Sequence, residues 1–191
     1  MAELTRVIKR EFPHLFDKPI GNIQDGLAQN VSWLDHIFGR SERLIKEING
    51  HRYYTPNWYV AKNDYLLLTP DQGFGNYAFF VMEEPQRLNW SVGQRTIIKS
   101  PFSLIVWVDM RSIMTLDERD TESVKQDLLR TLNGQIFVRD GSFEVMRVYE
   151  RAENVFKGFT LDEVDNQFLM SPFAGWRFEG ELLIRTDCIS V

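Results

Sequence analysis

The chain has 191 residues, 43% hydrophobic and 26% charged, which fits one folded domain and argues against a disordered protein. Its net charge of -5, from 22 basic and 27 acidic residues, disfavours a protein that grips nucleic acid over its whole surface. A single cysteine, Cys188, excludes an intrachain disulfide, and no apolar run approaches the ~20 residues needed to span a bilayer.

The N-terminus, MAELTRVIKREF, is charged throughout and lacks the apolar core of a signal peptide, so a soluble chain made in a cytoplasm is expected. Leu4, Val7, Ile8 and Phe12 fall on one face of a short amphipathic helix that Pro13 should end, and PHLFDKPIGN reads as a loop. From about Gln24 the spacing of Leu27, Val31, Leu34 and Phe38 predicts a second helix. Gly39 breaks it, and Glu42 to Ile48 continues helically to a C-cap at Asn49-Gly50. HRYYTPNWYV, DYLLLTP, NYAFFVM and QRTIIKS are rich in aromatic and β-branched residues and read as strands of a meander or long hairpins.

SLIVWVDMR (Ser103 to Arg111) is the next strand, after Pro101, and Thr115 to Asp120 is a polar turn. A helix follows from about Thr121 to Asn133, with Val124, Leu128 and Leu132 on one face and Gly134 beyond its end. SFEVMRVYER is a strand. TLDEVDNQFL carries a possible capping box, Thr160 with Glu163. In WRFEGELLIRT, Trp176, Phe178, Leu182 and Ile184 share one face while Arg177, Glu179, Glu181 and Arg185 share the other, which predicts an antiparallel strand with one buried and one polar face. Residues 1–191 thus form a single α+β domain, a mostly antiparallel sheet packed by a few helices. It has a helical part at about 1–50, a strand-rich hairpin region at about 51–100 and an α+β core at about 101–191.

No catalytic constellation stands out. GNIQDGLA (Gly21 to Ala28) has phosphate-loop glycine spacing but puts Leu27 and Ala28 where Lys and Ser/Thr belong, and GFGNYA (Gly73 to Ala78) reads as a turn. His14, His36 and His51 lie far apart with no ligand-like pairing, so no metal or cofactor is expected. Cys188 sits three residues from the C-terminus, a poor place for a nucleophile. The acidic groups 117–120 and 162–165 suit helix N-termini. Asp109, ending an apolar strand, is the one carboxylate in a position that metal-dependent enzymes use. With the acidic turn 117–120 it defines an alternative, a carboxylate-based enzyme taking up Mg²⁺ or Mn²⁺. The simpler role is to end the strand or cap the turn after it.

An interface is the stronger theme. Aromatics reach 13%, and arginine outnumbers lysine fifteen to seven, an excess that pairing surfaces favour and codon bias also produces. Along FSLIVWVDM, Phe102, Leu104, Val106 and Val108 point one way, and Ser103, Ile105, Trp107 and Asp109 the other. The second face is too apolar for open water. It must be covered either by the chain's own helix, such as 121–133, or by another subunit.

DMRSI, DTESVKQDLLRTL, NVFKGFT and above all LMSPFAGWRFEGELLI resemble the C-terminal half of neck proteins of tailed bacteriophages, the tail-terminator or tail-completion proteins. WLDHIFG and KNDYLLLTPDQGFGNYAFFVMEEPQ resemble more specifically the ring or terminator proteins of crAss-like phages, and together the segments span most of residues 33 to 187. The resemblance implies a tail-terminator-like fold and a non-enzymatic virion protein. It would assemble with itself into a ring at the head–tail connector, against other neck, portal or tail proteins, after synthesis in the bacterial host cytoplasm. No specific nucleic-acid or membrane binding is implied, although an acidic ring suits a place beside the DNA channel. A head-to-tail ring needs two complementary patches. The candidates are Ile105 and Trp107 with the charged face Arg177, Glu179, Glu181 and Arg185, and Asp71 to Trp90 as an arm. A small adaptor outside any virus is a further alternative.

Overall fold

The computed structural model describes residues 6–9, 15–61, 64–70, 72–89, 97–113, 120–134, 136–139, 141–161 and 167–185. Val7 and Ile8 are a two-residue strand, β1 (Val7–Ile8), rather than part of a helix; both are pulled into parallel register with Ile37 and Phe38. Leu4, Phe12 and Pro13 lie outside the described residues. The expected loop is the start of helix α1 (Asp17–Asn30), because Pro19 falls in the first turn, where its missing N–H costs no hydrogen bond. Phe16, Ile20, Ile23 and Leu27 form the buried stripe of α1. Arg6 donates to the carbonyls of Ala28, Val31 and Leu34, satisfying backbone oxygens around the C-terminal end of α1 and tying β1 to it.

The helix predicted to reach Phe38 stops at Asn30, and His36–Arg40 is strand β2. The i, i+4, i+7, i+11 spacing is real as burial, since Leu27, Val31, Leu34 and Phe38 are all core, but a helix end, a turn and a strand share it. Glu42–Ile48 is likewise a strand, β3, paired residue for residue with β4 (His51–Ala61) from Glu42↔Asn57 to Ile48↔His51. Asn49 (φ 53°) and Gly50 (φ 77°) are therefore a two-residue hairpin turn of the primed type and not a helix cap. The part expected to be helical, about 1–50, thus holds one helix and three strands among its described residues, and the hairpin region begins at residue 42. Strand β5 (Asp64–Leu67) completes a three-stranded sheet in the order β3-β4-β5.

A single 3₁₀ turn, Gln72–Phe74, leads into β6 (Tyr77–Met82). There Gly75 (φ 63°) packs against Asp35, whose Oδ2 accepts the Asn76 N–H at 2.8 Å, so GFGNYA is the turn it was read as. Next come β7 (Arg87–Asn89) and the 13-residue β8 (Ile97–Asp109). The described part of QRTIIKS, Ile97 to Ser100, and Ser103 to Asp109 of SLIVWVDMR merge into this one strand across Pro101. Proline is tolerated here because it falls between the β6 ladder (102–107) and the β7 ladder (97–99), where its carbonyl still accepts the Glu83 N–H at 2.9 Å. The remaining elements are a single turn α2 (Met110–Ile113), α3 (Thr121–Gly134), β9 (Gly141–Tyr149), a single turn α4 (Ala152–Val155) and β10 (Phe173–Arg185).

The main sheet runs β1-β2-β6-β8-β10-β9, with β7 also on β8. Only β1–β2 and β2–β6 are parallel, so the fold is α+β with a mostly antiparallel sheet, as composition and pattern predict. Each parallel step needs a crossover. Helix α1 provides the first on one face, and the three-stranded sheet provides the second on the other. Phe102, Leu104, Val106 and Val108 of β8, with Trp176, Phe178, Leu182 and Ile184 of β10, pack under α1 and α3. Ile105 and Trp107 pack on the opposite face with Phe38, Trp58, Leu68, Tyr77, Phe79, Val155 and Phe156. The main sheet is therefore the middle of three layers.

Candidate interaction surface

The alternation read along β8 is correct, and its cover is the chain itself. Ile105 and Trp107 are 0% and 1% exposed, so neither offers a surface to a neighbour. Trp107 stacks on Phe173 at 5.3 Å between ring centroids, lies 5.7 Å from Tyr77, and donates from Nε1 to the Phe168 carbonyl at 2.6 Å. The expected cover, helix 121–133, packs on the other face instead.

The charged face of β10 is also not the open surface predicted. Arg177 is 2% exposed, with Nε on Glu179 Oε1 at 3.1 Å, one terminal nitrogen on the Lys157 carbonyl at 3.0 Å and the other on Glu83. Ser103 adds a bond to Glu83 at 3.2 Å. The cluster binds the end of β6 to β8, β10 and the turn after α4, with the Arg177 guanidinium buried and Glu83 partly open to water, so Arg177 is structural. Glu179 and Glu181 are half-buried, the latter 3.8 Å from Lys99, and Arg185 alone of the four is exposed. Of the proposed arm, residues 77–80 are an interior strand of the main sheet and fully buried. Asp71 and Trp90 lie outside the described residues.

Asp109 caps the turn after its strand. Its carboxylate accepts the Arg111 N–H at 3.0 Å and Arg111 Nε and Nη2 at 2.9 and 2.7 Å, while its own N–H donates to Asn76 Oδ1 at 2.8 Å. The Asp109 pair raises the Arg111 pKa above its ordinary value, chiefly by hydrogen bonding. Of the acidic turn, only Asp120 lies within the described residues, and it caps α3 by accepting the N–H groups of Glu122 and Ser123 at 3.0 and 3.2 Å. His14, Cys188 and residues 162–166 lie outside the described residues, and the capping box read at Thr160 with Glu163 falls partly there; Thr160 itself pairs with the Tyr54 backbone. Among the described residues no group of three or more His, Cys, Asp or Glu converges as a metal site. GNIQDGLA lies within α1, and a 390 Å³ cleft beside that helix has its Lys9 and Arg40 paired with Asp25 and Asp17, the first across the cleft edge.

What remains open is the three-stranded sheet. Residues opposite one another in antiparallel strands share a face, so Trp58, Leu66 and Pro56 look inward. Lys46 with Tyr53, Ile48 with His51, Leu44 with Thr55, Tyr59 with Tyr65, and Leu67 look outward. Six of the ten large apolar side chains exposed among the described residues belong to these strands: Ile45, Ile48, Tyr53, Val60, Tyr65 and Leu67. Tyr59 and Tyr65 meet edge to face at 5.4 Å, which fixes two rings of this surface. The hairpin end, about residues 45–53, is exposed on both faces and extends past the core. Sequence reading missed this surface because it assigned β3 to a helix; the signal was Asn49-Gly50 between two alternating segments.

No protein-family model matches the chain, and no curated protein matches it in sequence.

Proposed function

We propose that this chain is a structural subunit of a tailed-phage neck, acting without chemistry by assembling with copies of itself into a ring and contacting portal, neck or tail proteins in the virion. The observation that carries the assembly role is the outer sheet. Its exposed Ile48, Tyr53, Tyr65 and Leu67 share the outward face, the kind of patch that soluble proteins keep for protein contacts. The resemblance of LMSPFAGWRFEGELLI and the segments around it to neck proteins names the assembly. A head-to-tail ring needs a second, different patch, and the β9 side offers exposed Phe137 and Met146.

Native mass spectrometry of the purified chain, alone and with a portal protein of the same phage, tests the proposal. A closed oligomer of defined copy number, or co-purification in the portal complex, is expected. A strictly monomeric chain that is also absent from purified virions refutes it.

A further inference from the structure

The edges of the two sheets are not alike. Edge strand β9 is interrupted by a bulge, where the pairing steps from Arg147↔Glu179 to Val145↔Gly180 and leaves Met146 extra. Gly180 fits there because the Glu144 carbonyl oxygen would lie 1.9 Å from any Cβ. Such a bulge blunts an edge against further pairing. Strand β1 has two residues and β5 four. Strand β3 is different: its seven residues pair with β4 without a break, and among the described residues it has no strand on its other side. From Arg43 to Ile48 every side chain except half-buried Leu44 is exposed. An unbroken edge of this length is a template for another strand.

The order of residues says which strand fits. Reading ERLIKEI outward from Ile45, Arg43 and Glu47 are equidistant and opposite in charge. Set antiparallel to itself about a two-fold axis through Ile45, β3 places Arg43 opposite Glu47 twice and Ile45 opposite Ile45, all on one face. Leu44 then lies opposite Lys46 on the other face. Registers that keep the faces matched must move the axis by one residue. Centring on Lys46 sets two ammonium groups against each other, and centring on Leu44 pairs Glu42 with Lys46 but sets Arg43 against Ile45 twice and leaves Glu47 beyond the paired strand. Neither Arg43 nor Glu47 has an ion pair within the described chain. The Arg43 guanidinium lies over the Tyr54 ring at 4.0 Å, on the same face as Ile45 and Glu47.

We propose that β3 is a homotypic docking edge: two copies of the chain join β3 to β3, antiparallel about Ile45, into one six-stranded outer sheet. This contact closes on itself after two copies. It is separate from the head-to-tail contacts of a ring and holds or fails independently of them.

Charge reversal tests it on the intact chain by sedimentation velocity across a concentration series, with circular dichroism confirming that each variant is folded. The unmodified chain is expected to show a concentration-dependent two-copy species. Arg43→Glu alone and Glu47→Arg alone each turn two attractive pairs into two repulsive ones and weaken that species about ten- to thirtyfold. The double variant restores it, and so does an equimolar mixture of the two single variants, since each then supplies the sign the other lacks. A chain with no two-copy step at several hundred micromolar overturns the proposal, as does self-association that ignores the single reversals. Folded single variants that fail to associate when mixed also overturn it.

Discussion

Trp107→Ala separates a side chain that stabilises the monomer from one that joins subunits. Trp107 is 1% exposed and held among Tyr77, Phe168 and Phe173, with its indole N–H on the Phe168 carbonyl. A side chain of this size buries about 150–250 Å². At about 25 cal/mol per Å² this corresponds to about 4–6 kcal/mol, of which alanine retains the Cβ share. The expected loss is about 3–5 kcal/mol, the range for aromatic-to-alanine truncations in cores. Trp107→Phe keeps most of the ring contacts but leaves the Phe168 carbonyl without its donor, and should cost about 1–3 kcal/mol. Urea unfolding followed by far-ultraviolet circular dichroism, at two protein concentrations tenfold apart, gives both numbers. Because the covering residues belong to the same chain, the losses should be the same at both concentrations. A truncation that leaves the midpoint in place, or whose cost grows with protein concentration, refutes intrachain cover.

Gln24, 2% exposed, donates from Nε2 to the carbonyls of Ile8 and Ile37 at 2.9 and 2.8 Å, one on each strand of the parallel β1–β2 pair. Gln24→Leu should cost about 1–3 kcal/mol and speed amide exchange in β1 before other strands, measured by hydrogen–deuterium exchange; unchanged exchange at Val7 and Ile8 contradicts it. The Ser123 hydroxyl, then the Ser123 and Glu122 N–H groups, hold the Asp120 carboxyl below its ordinary value. The folded-state pKa is therefore below the unfolded one. The contribution is whole above about pH 4 and is lost as pH falls through the folded value. Asp120→Asn, which still caps α3, should flatten the acid limb of a midpoint-against-pH curve; an identical limb in both proteins rules this out.

How much of this was legible depended on how far apart the partners lie in sequence. The two faces of β8, the alternation of β10 and the stripe of α3 are local periodicities, and all three appear where the pattern put them. Glu42 to Ile48 misled because its residues are good helix formers and the spacing of Leu44 and Ile48 suits either period. The turn chemistry of Asn49-Gly50 and the aromatic strand after it decide the outcome. The Arg177 cluster was not legible. In sequence, Arg177 looks like any outward charge on an alternating strand, and its partner Glu83 is 94 residues away. Arg6 reaching Leu34 is the same case at 28 residues.

The question whether a neighbour covers Trp107 has moved one layer outward. Strands β2 and β6 are parallel neighbours, so the chain must cross over between them, and it does so by building β3-β4-β5 on the face that Ile105 and Trp107 occupy. A three-stranded sheet thick enough to bury that face has a second face of its own. Here that face is aromatic and aliphatic rather than uniformly charged, with tyrosine hydroxyls keeping it compatible with water until something covers it. The same strands therefore seal the core and present the contact surface. Substitutions at Trp58 or Leu66, on the inner face, should lower stability, while those at Tyr53 or Tyr65, on the outer face, should lower association alone. A strand that serves both roles keeps them apart by side-chain parity.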